Sequence, residues 1–178
     1  MTTEANLRSG PLQIAAAAIF AALVFVVTYA IPPISIPATS GYFNIGETTI
    51  YIAALLFGPY VGALSGGIGA AIADGLLAPQ FALGTLVIKG AEGAIVGFLF
   101  IRLQKVLHNR TLSACVAVVV GGLEMVVGYF VYEQLVLGYP LLAASVEIPF
   151  NIVQMVVGLA VAVPVMLAVS RVFPQFKN

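Results

Sequence analysis

Long apolar runs, broken by short polar or Gly/Pro punctuation, dominate this chain. They read as six helical spans: about Leu12–Ile31, Gly46–Phe57, Tyr60–Leu77, Phe81–Leu103, Leu112–Leu137 and Ala143–Val172. A helix rises about 1.5 Å per residue, so about 20 apolar residues cross a bilayer core. Most of the runs meet that length. The second is too short, which predicts a span that starts below the surface or is partly re-entrant, shielded by its neighbours. Polar and apolar residues do not alternate, so a β-barrel is excluded. The expectation is an all-α, polytopic membrane protein: a six-transmembrane-helix bundle in one domain over residues 1–178. Residues 1–11 and 173–178 form tails, and 12–172 form the bundle.

Composition agrees. The chain is 61% hydrophobic, with seven Lys/Arg, seven Asp/Glu and a formal net charge of zero. Its mean hydropathy is +1.10. Zero net charge excludes a general nucleic-acid surface. The single Cys115 lies in an apolar run, which excludes a disulfide framework or a cysteine metal cluster. No phosphate-binding loop is present, so any ATP-driven step needs another chain. No cofactor or metal is expected. The lone His108 reads as a solvent-exposed loop residue beside Asn109 and Arg110. The first span is longer than a signal-peptide core and Thr28-Tyr29-Ala30 is a poor cleavage site, so it reads as retained.

The basic residues set a topology. Arg8, Arg102, Lys105, Arg110, Arg171 and Lys177 fall in the tails or at the 4–5 loop, and no Lys or Arg falls in the three connections of the other face. By the positive-inside rule both termini are cytoplasmic. The turn Phe57-Gly58-Pro59-Tyr60 fits an inner 2–3 connection. The loop from Pro32 to Phe43 has three prolines and is long enough to fold over the outer mouth.

The acids behave differently. Glu47, Asp74, Glu92, Glu124, Glu133 and Glu147 lie inside or at the ends of the spans, with Lys89 among them. Ionisable groups in a bilayer are expensive and face a bundle interior or a site. Followed up and down the six spans, nearly all map to the outer half, which suggests an outward pocket rather than a transmembrane wire. Helical spacing refines the set. Glu147, Asn151 and Gln154 share one stripe, Glu47 shares a face with Tyr51, Tyr129 with Glu133, and Lys89 with Glu92. Glu124 and Glu133 are about 180° apart, so Glu124 is assigned to a helix–helix contact. The candidate substrate-binding residues are Asn44, Glu47, Tyr51, Lys89, Glu92, Tyr129, Glu133, Glu147, Asn151 and Gln154. Each has a structural alternative. A Lys89–Asp74 or Lys89–Glu92 ion pair would only neutralise a buried charge, and Asp74 with Lys89 is the expected structural pair. Glu47 could cap its helix. Tyr42, Tyr51, Tyr132 and Tyr139 could form an interfacial belt.

Small residues mark packing seams. Gly58, Gly62, Gly66 and Ala70 recur at four-residue spacing, as do Gly93 and Gly97. On span 1, Ala17/Ala21 and Ala18/Ala22 make a smooth stripe, either another internal seam or a docking face for a membrane partner.

Several runs carry a family likeness: Tyr42-Phe43-Asn44-Ile45-Gly46-Glu47, Leu55 to Ala63 through Gly66-Gly67-Ile68-Gly69 and Ala73-Asp74, Gly84 to Gly90, and Glu147 to Asn151 with Gln154. Together they resemble the substrate-binding S components of energy-coupling factor (ECF) vitamin transporters, especially the riboflavin-type group. The resemblance implies six helices and a water-soluble vitamin or its precursor bound at the outer side. It also implies partnership with a membrane coupling protein (the T component) and two cytoplasmic ATPases, which places the chain in the cell membrane as a non-enzyme. It implies that the alanines Ala17, Ala18, Ala21 and Ala22 contact the coupling protein. The acid-rich layer favours a cationic or donor-rich ligand over a polyanion. Thiamine-, pyridoxine- and flavin-like ligands all stay open. The alternative is an autonomous ion-coupled secondary transporter, which would need polar groups in the inner half and an inverted repeat. An intramembrane enzyme would need a nucleophile–base pair or metal ligands that this chain does not offer.

Overall fold

The computed structural model describes residues 10–31 and 33–173. Six helices follow one another: α1 (Gly10–Ala30), α2 (Gly46–Phe57), α3 (Pro59–Leu77), α4 (Ala82–Leu107), α5 (Arg110–Leu135) and α6 (Leu141–Val172). The apolar runs are helices, with ends close to those expected. Four of them, α1, α3, α5 and α6, are long and apolar enough to cross a membrane. The charged residues Lys89, Glu92, Arg102 and Lys105 interrupt the apolar sequence of α4. The short α2 has 12 residues, a length of about 18 Å. It lies at the centre of the bundle, in contact with α1, α3, α4 and α6. Its neighbours shield it, which is how a helix too short to span is tolerated. Arg8 and Lys177, on which part of the topology reading rests, lie outside the described residues.

Element ends follow local chemistry. The α2–α3 turn is made at Gly58, whose φ of +92° suits glycine, and Pro59 opens α3 at the first-turn position where its missing N–H does no harm. At the same end of the bundle, α4 ends on His108 in the left-handed conformation, and Asn109 caps α5 by accepting from the Leu112 amide at 3.0 Å.

The glycine seam joins α3 to α4. A Cβ on Gly62 would sit 2.5 Å from the Gly93 carbonyl oxygen, and one on Gly66 2.5 Å from the Lys89 carbonyl oxygen. The two backbones touch, and only glycine leaves room for that.

An element absent from the expected all-helical plan covers the opposite end. Residues Ile34–Ile36 (β1) and Gly41–Phe43 (β2) pair antiparallel, with Ser35 opposite Tyr42. This hairpin occupies most of the proline-bearing loop between α1 and α2.

The interior is divided by depth. Toward the 2–3 and 4–5 connections it is apolar: Leu55, Val96, Phe100, Val118, Val163 and Met166 pack with small alanines. Toward the hairpin it is polar: Glu47, Asp74, Lys89, Glu92, Glu133 and Glu147 are all buried. Tyr51 stands at the boundary, its ring in the apolar cluster and its hydroxyl donating to Glu92 at 2.8 Å.

Candidate functional site

A cavity opens at the polar end, under the hairpin. It holds about 350 Å³ of space, mouth included, and is lined by Gly41 and Tyr42 of β2, Asn44, Asp74 at the end of α3, Phe81, Lys89 of α4, Tyr129 of α5, and Glu147, Asn151 and Gln154 of α6. The α6 stripe is placed as its spacing requires, with all three side chains on the cavity. Pro149, inside that helix, withholds the amide that Ser145 would otherwise bond, so the backbone is loosened at this level.

Six of the ten predicted binding residues thus come together on the cavity: Asn44, Lys89, Tyr129, Glu147, Asn151 and Gln154. Glu47, Tyr51 and Glu92 do not reach it. They stand behind Lys89 as a buried network. Lys89 Nζ is paired with Glu47 Oε2 and lies 3.3 Å from Glu92 Oε2, while Gln154 Nε2 donates to Glu47 Oε2 at 3.1 Å. The network fixes Lys89 and Gln154, and it neutralises charge that would be costly alone. Glu133 is also off the cavity, fully buried, and neither of its carboxyl oxygens has a hydrogen-bond partner among the described residues. Glu124 is half-buried, and its inner oxygen is likewise without one.

The expected Asp74–Lys89 ion pair is not formed. Lys89 turns to Glu47 and Glu92, and Asp74 instead accepts hydrogen bonds from the Tyr42 and Thr85 hydroxyls. Three acids lie within reach of one lysine, and the backbone geometry selects the two on α2 and α4. Asp74 is therefore a cavity residue, one of four lining positions, with Gly41, Tyr42 and Phe81, absent from the predicted binding set. Tyr42 is legible in the sequence only as an interfacial tyrosine, because nothing in its spacing shows that a hairpin turns it inward. Nor do Tyr132 and Tyr139 end as a simple belt. Their hydroxyls donate to the Gln80 and Thr39 carbonyls, each at 2.9 Å, and both rings lie 6.5 Å from Phe81.

The hairpin is tied down by groups that also face the cavity. Thr39 donates to Glu147, Tyr42 to Asp74, and the Asn44 amide to Gln154 Oε1 at 3.1 Å. Burial first, and then the Asp74 carboxyl, raise the Tyr42 hydroxyl above the ordinary tyrosine value, so it stays a proton donor. Burial and then Glu133 and Glu147 shift Tyr139 in the same direction. A flat ligand would meet aromatic faces at Phe81 and Tyr129, whose centroids are 6.3 Å apart, with the Lys89 ammonium 5.6 Å from the Tyr129 ring.

The alanine stripe on α1 splits. Ala17 is buried against Ala53 and Val61, and a Cβ on Gly69 would overlap the Ala21 carbonyl. Ala17 thus serves the α1–α2–α3 seam, and the Ala21 backbone packs on α3 while its side chain is half-buried. Ala18 and Ala22 are exposed on the outer side of the helix.

The fold has counterparts among known proteins. The family model described as ECF-type riboflavin transporter, S component, matches residues 10–171. The chain belongs to this family. A Pyrococcus woesei protein, described as an uncharacterized protein in gap 3' region, is 41% identical over 135 residues, covering 76% of this chain and 86% of that protein. A solved structure, described as "Structure and mechanism of the S component of a bacterial ECF transporter", superposes with a TM-score of 0.67 at 17% identity, covering 92% of this chain and 98% of that one. At that identity the likeness speaks for the fold. This S component is accordingly a membrane protein and a substrate-binding subunit of a transporter, in a family of transport subunits rather than enzymes.

Proposed function

We propose that this S component captures a water-soluble vitamin or vitamin precursor at the extracellular face and delivers it for ATP-driven uptake. A membrane coupling protein and two cytoplasmic ATPase subunits are the partners of that step, and both termini lie on the cytoplasmic side. The carrying observation is the one-ended site: a cavity with Asp74, Lys89, Glu147, Asn151 and Gln154 on its walls, above an interior packed with apolar side chains. Such an arrangement binds at one membrane face and offers no polar path to the other. The basic residues Arg102, Lys105, Arg110 and Arg171 sit at the opposite end of the bundle, which supports the cavity facing outside.

The lining also supports a ligand class. Among the described residues Lys89 is the one cationic side chain on the cavity, and it is already engaged by two carboxylates. Asp74 and Glu147 offer acceptors, and Asn151 offers an amide. A neutral or cationic ring compound rich in N–H and O–H donors fits these walls, and a phosphorylated one does not.

The whole chain, residues 1–178, acts as one membrane domain in this reading. Purified chain in liposomes, alone and with the coupling protein and ATPases, provides the test. Uptake that requires the partners and ATP is expected. Ion-gradient-driven uptake by the chain alone would favour an autonomous secondary transporter, for which mid-membrane Glu124 is the supporting observation.

A further inference from the structure

The basic end of the bundle holds a feature that ligand capture does not use. Arg102 and Lys105 lie on the last turns of α4, one helical step apart, and both point away from the core. Neither forms a salt bridge among the described residues, and neither does Arg171 on the last turn of α6. Arg110 is otherwise committed: its guanidinium donates to Ser170 Oγ at 2.9 Å and lies 5.5 Å from the Phe100 ring, clamping α5 to α6.

Among the described residues no carboxylate balances this charge. Along α4 the acid nearest to Arg102 is Glu92, ten residues away, or about 15 Å, beyond the Debye length of about 8 Å in physiological salt. Glu92 is moreover fully buried and turned to Lys89. On α5 the first acid after Arg110 is Glu124, about 21 Å along the axis.

Depth specifies what meets the charge. Arg102 is 20 residues beyond Ala82, the first residue of α4, a rise of about 30 Å, the thickness of a hydrocarbon core. The Arg102 guanidinium lies 5.2 Å from the centroid of Phe98, itself half exposed, and the neighbouring Val106 is 73% exposed. The cations therefore rise out of an exposed apolar wall, about one hydrocarbon-core thickness from the first residue of α4, their stems along apolar surface. An acidic protein surface would meet them on a polar face, and this wall is not polar.

We propose that Arg102 and Lys105 form a binding site for the phosphate of an anionic phospholipid headgroup, with the acyl chains against Phe98 and Val106. Each such cation contributes about fivefold to anionic-lipid association, so the pair gives roughly thirtyfold. The site is remote from the cavity and stands whether or not the vitamin reading holds.

The test uses full-length protein in mixed detergent micelles with dioleoyl-phosphatidylglycerol or dioleoyl-phosphatidylcholine, bound lipid being counted by native mass spectrometry. Preferential retention of phosphatidylglycerol is expected, falling by more than tenfold in Arg102→Gln/Lys105→Gln. Thermal unfolding of the double variant checks that the fold is kept, as the outward position of both side chains requires. Equal retention of the two lipids would overturn the proposal, as would retention unchanged in the double variant. Displacement of phosphatidylglycerol by millimolar inorganic phosphate would also overturn it, pointing to a free-anion site. Loss of ATPase-partner assembly with lipid retention intact would assign the charges to a protein partner instead.

Discussion

Replacing Lys89 by methionine isolates the buried ion network. Lys89, Glu47 and Glu92 are 3%, 1% and 0% exposed, so no solvent screens what remains. Methionine fills much of the lysine's volume but leaves two carboxyl groups that had shared one ammonium. Removing one partner of a buried pair costs about 3–5 kcal/mol. In a chain of this size that lowers an apparent Tm by on the order of 6–20 °C. Adding Glu47→Gln should recover part of the loss, because the new amide oxygen can still accept from Gln154 while one charge is gone. Coupling between the two sites should be about 1–3 kcal/mol in a double-mutant cycle. Thermal unfolding in detergent, read by the exposure of Cys115 to a thiol dye, measures all four proteins. Lys89→Met as stable as wild type, or costs that simply add, would refute the network as the support of the site.

Other outcomes follow from the same geometry. Gly62→Val should separate α3 from α4 and cost about 1–3 kcal/mol or more, seen as lower unfolding temperature and yield, because its side chain meets the Gly93 backbone. Ala22→Leu should leave ligand affinity and stability unchanged yet suppress partner-dependent uptake, whereas Ala17→Leu, at a buried position, should lower stability in the isolated chain. Tyr139→Phe removes the hydroxyl that holds the Thr39 carbonyl and should loosen the hairpin by about 0.5–1.5 kcal/mol, read as faster ligand release in stopped-flow exchange.

How much is legible in the sequence varies with the physics involved. Helix positions are legible because membrane spans must be long, apolar and bounded by turn residues. The α2–α3 turn at Gly58-Pro59 shows this. The apolar pattern ends α4 too early, at Leu103, since Lys105 resembles a loop residue, although long cationic side chains allow the helix to continue into the headgroups. Relative depth is legible, which is why so many of the acids gather at one end. Helix rotation is not. Glu47 and Tyr51 share a face, but that face points at Lys89 and the apolar core rather than at the cavity. Choice of partner is not legible either: Lys89 has three acids within reach, and only tertiary placement excludes Asp74. The hairpin leaves the weakest trace. Its strands are three residues each, too short for alternation to show, and they are held by Glu147, Asp74, Gln154 and Tyr139, which are distant in sequence.

Occupancy of the hairpin-end cavity by a vitamin-class ligand is what the proposed function requires. Its most direct measurement is calorimetric titration of the purified chain, without partners, against the water-soluble vitamins and their precursors, paired with mass spectrometry of small molecules that co-purify. One ligand at one-to-one stoichiometry is expected, with affinity falling about tenfold or more when Glu147 or Asn151 becomes alanine and the fold is retained, the loss of one charged or well-placed hydrogen bond. No tight ligand across the panel, or a ligand whose affinity ignores both substitutions, would rule out the cavity as that ligand's site.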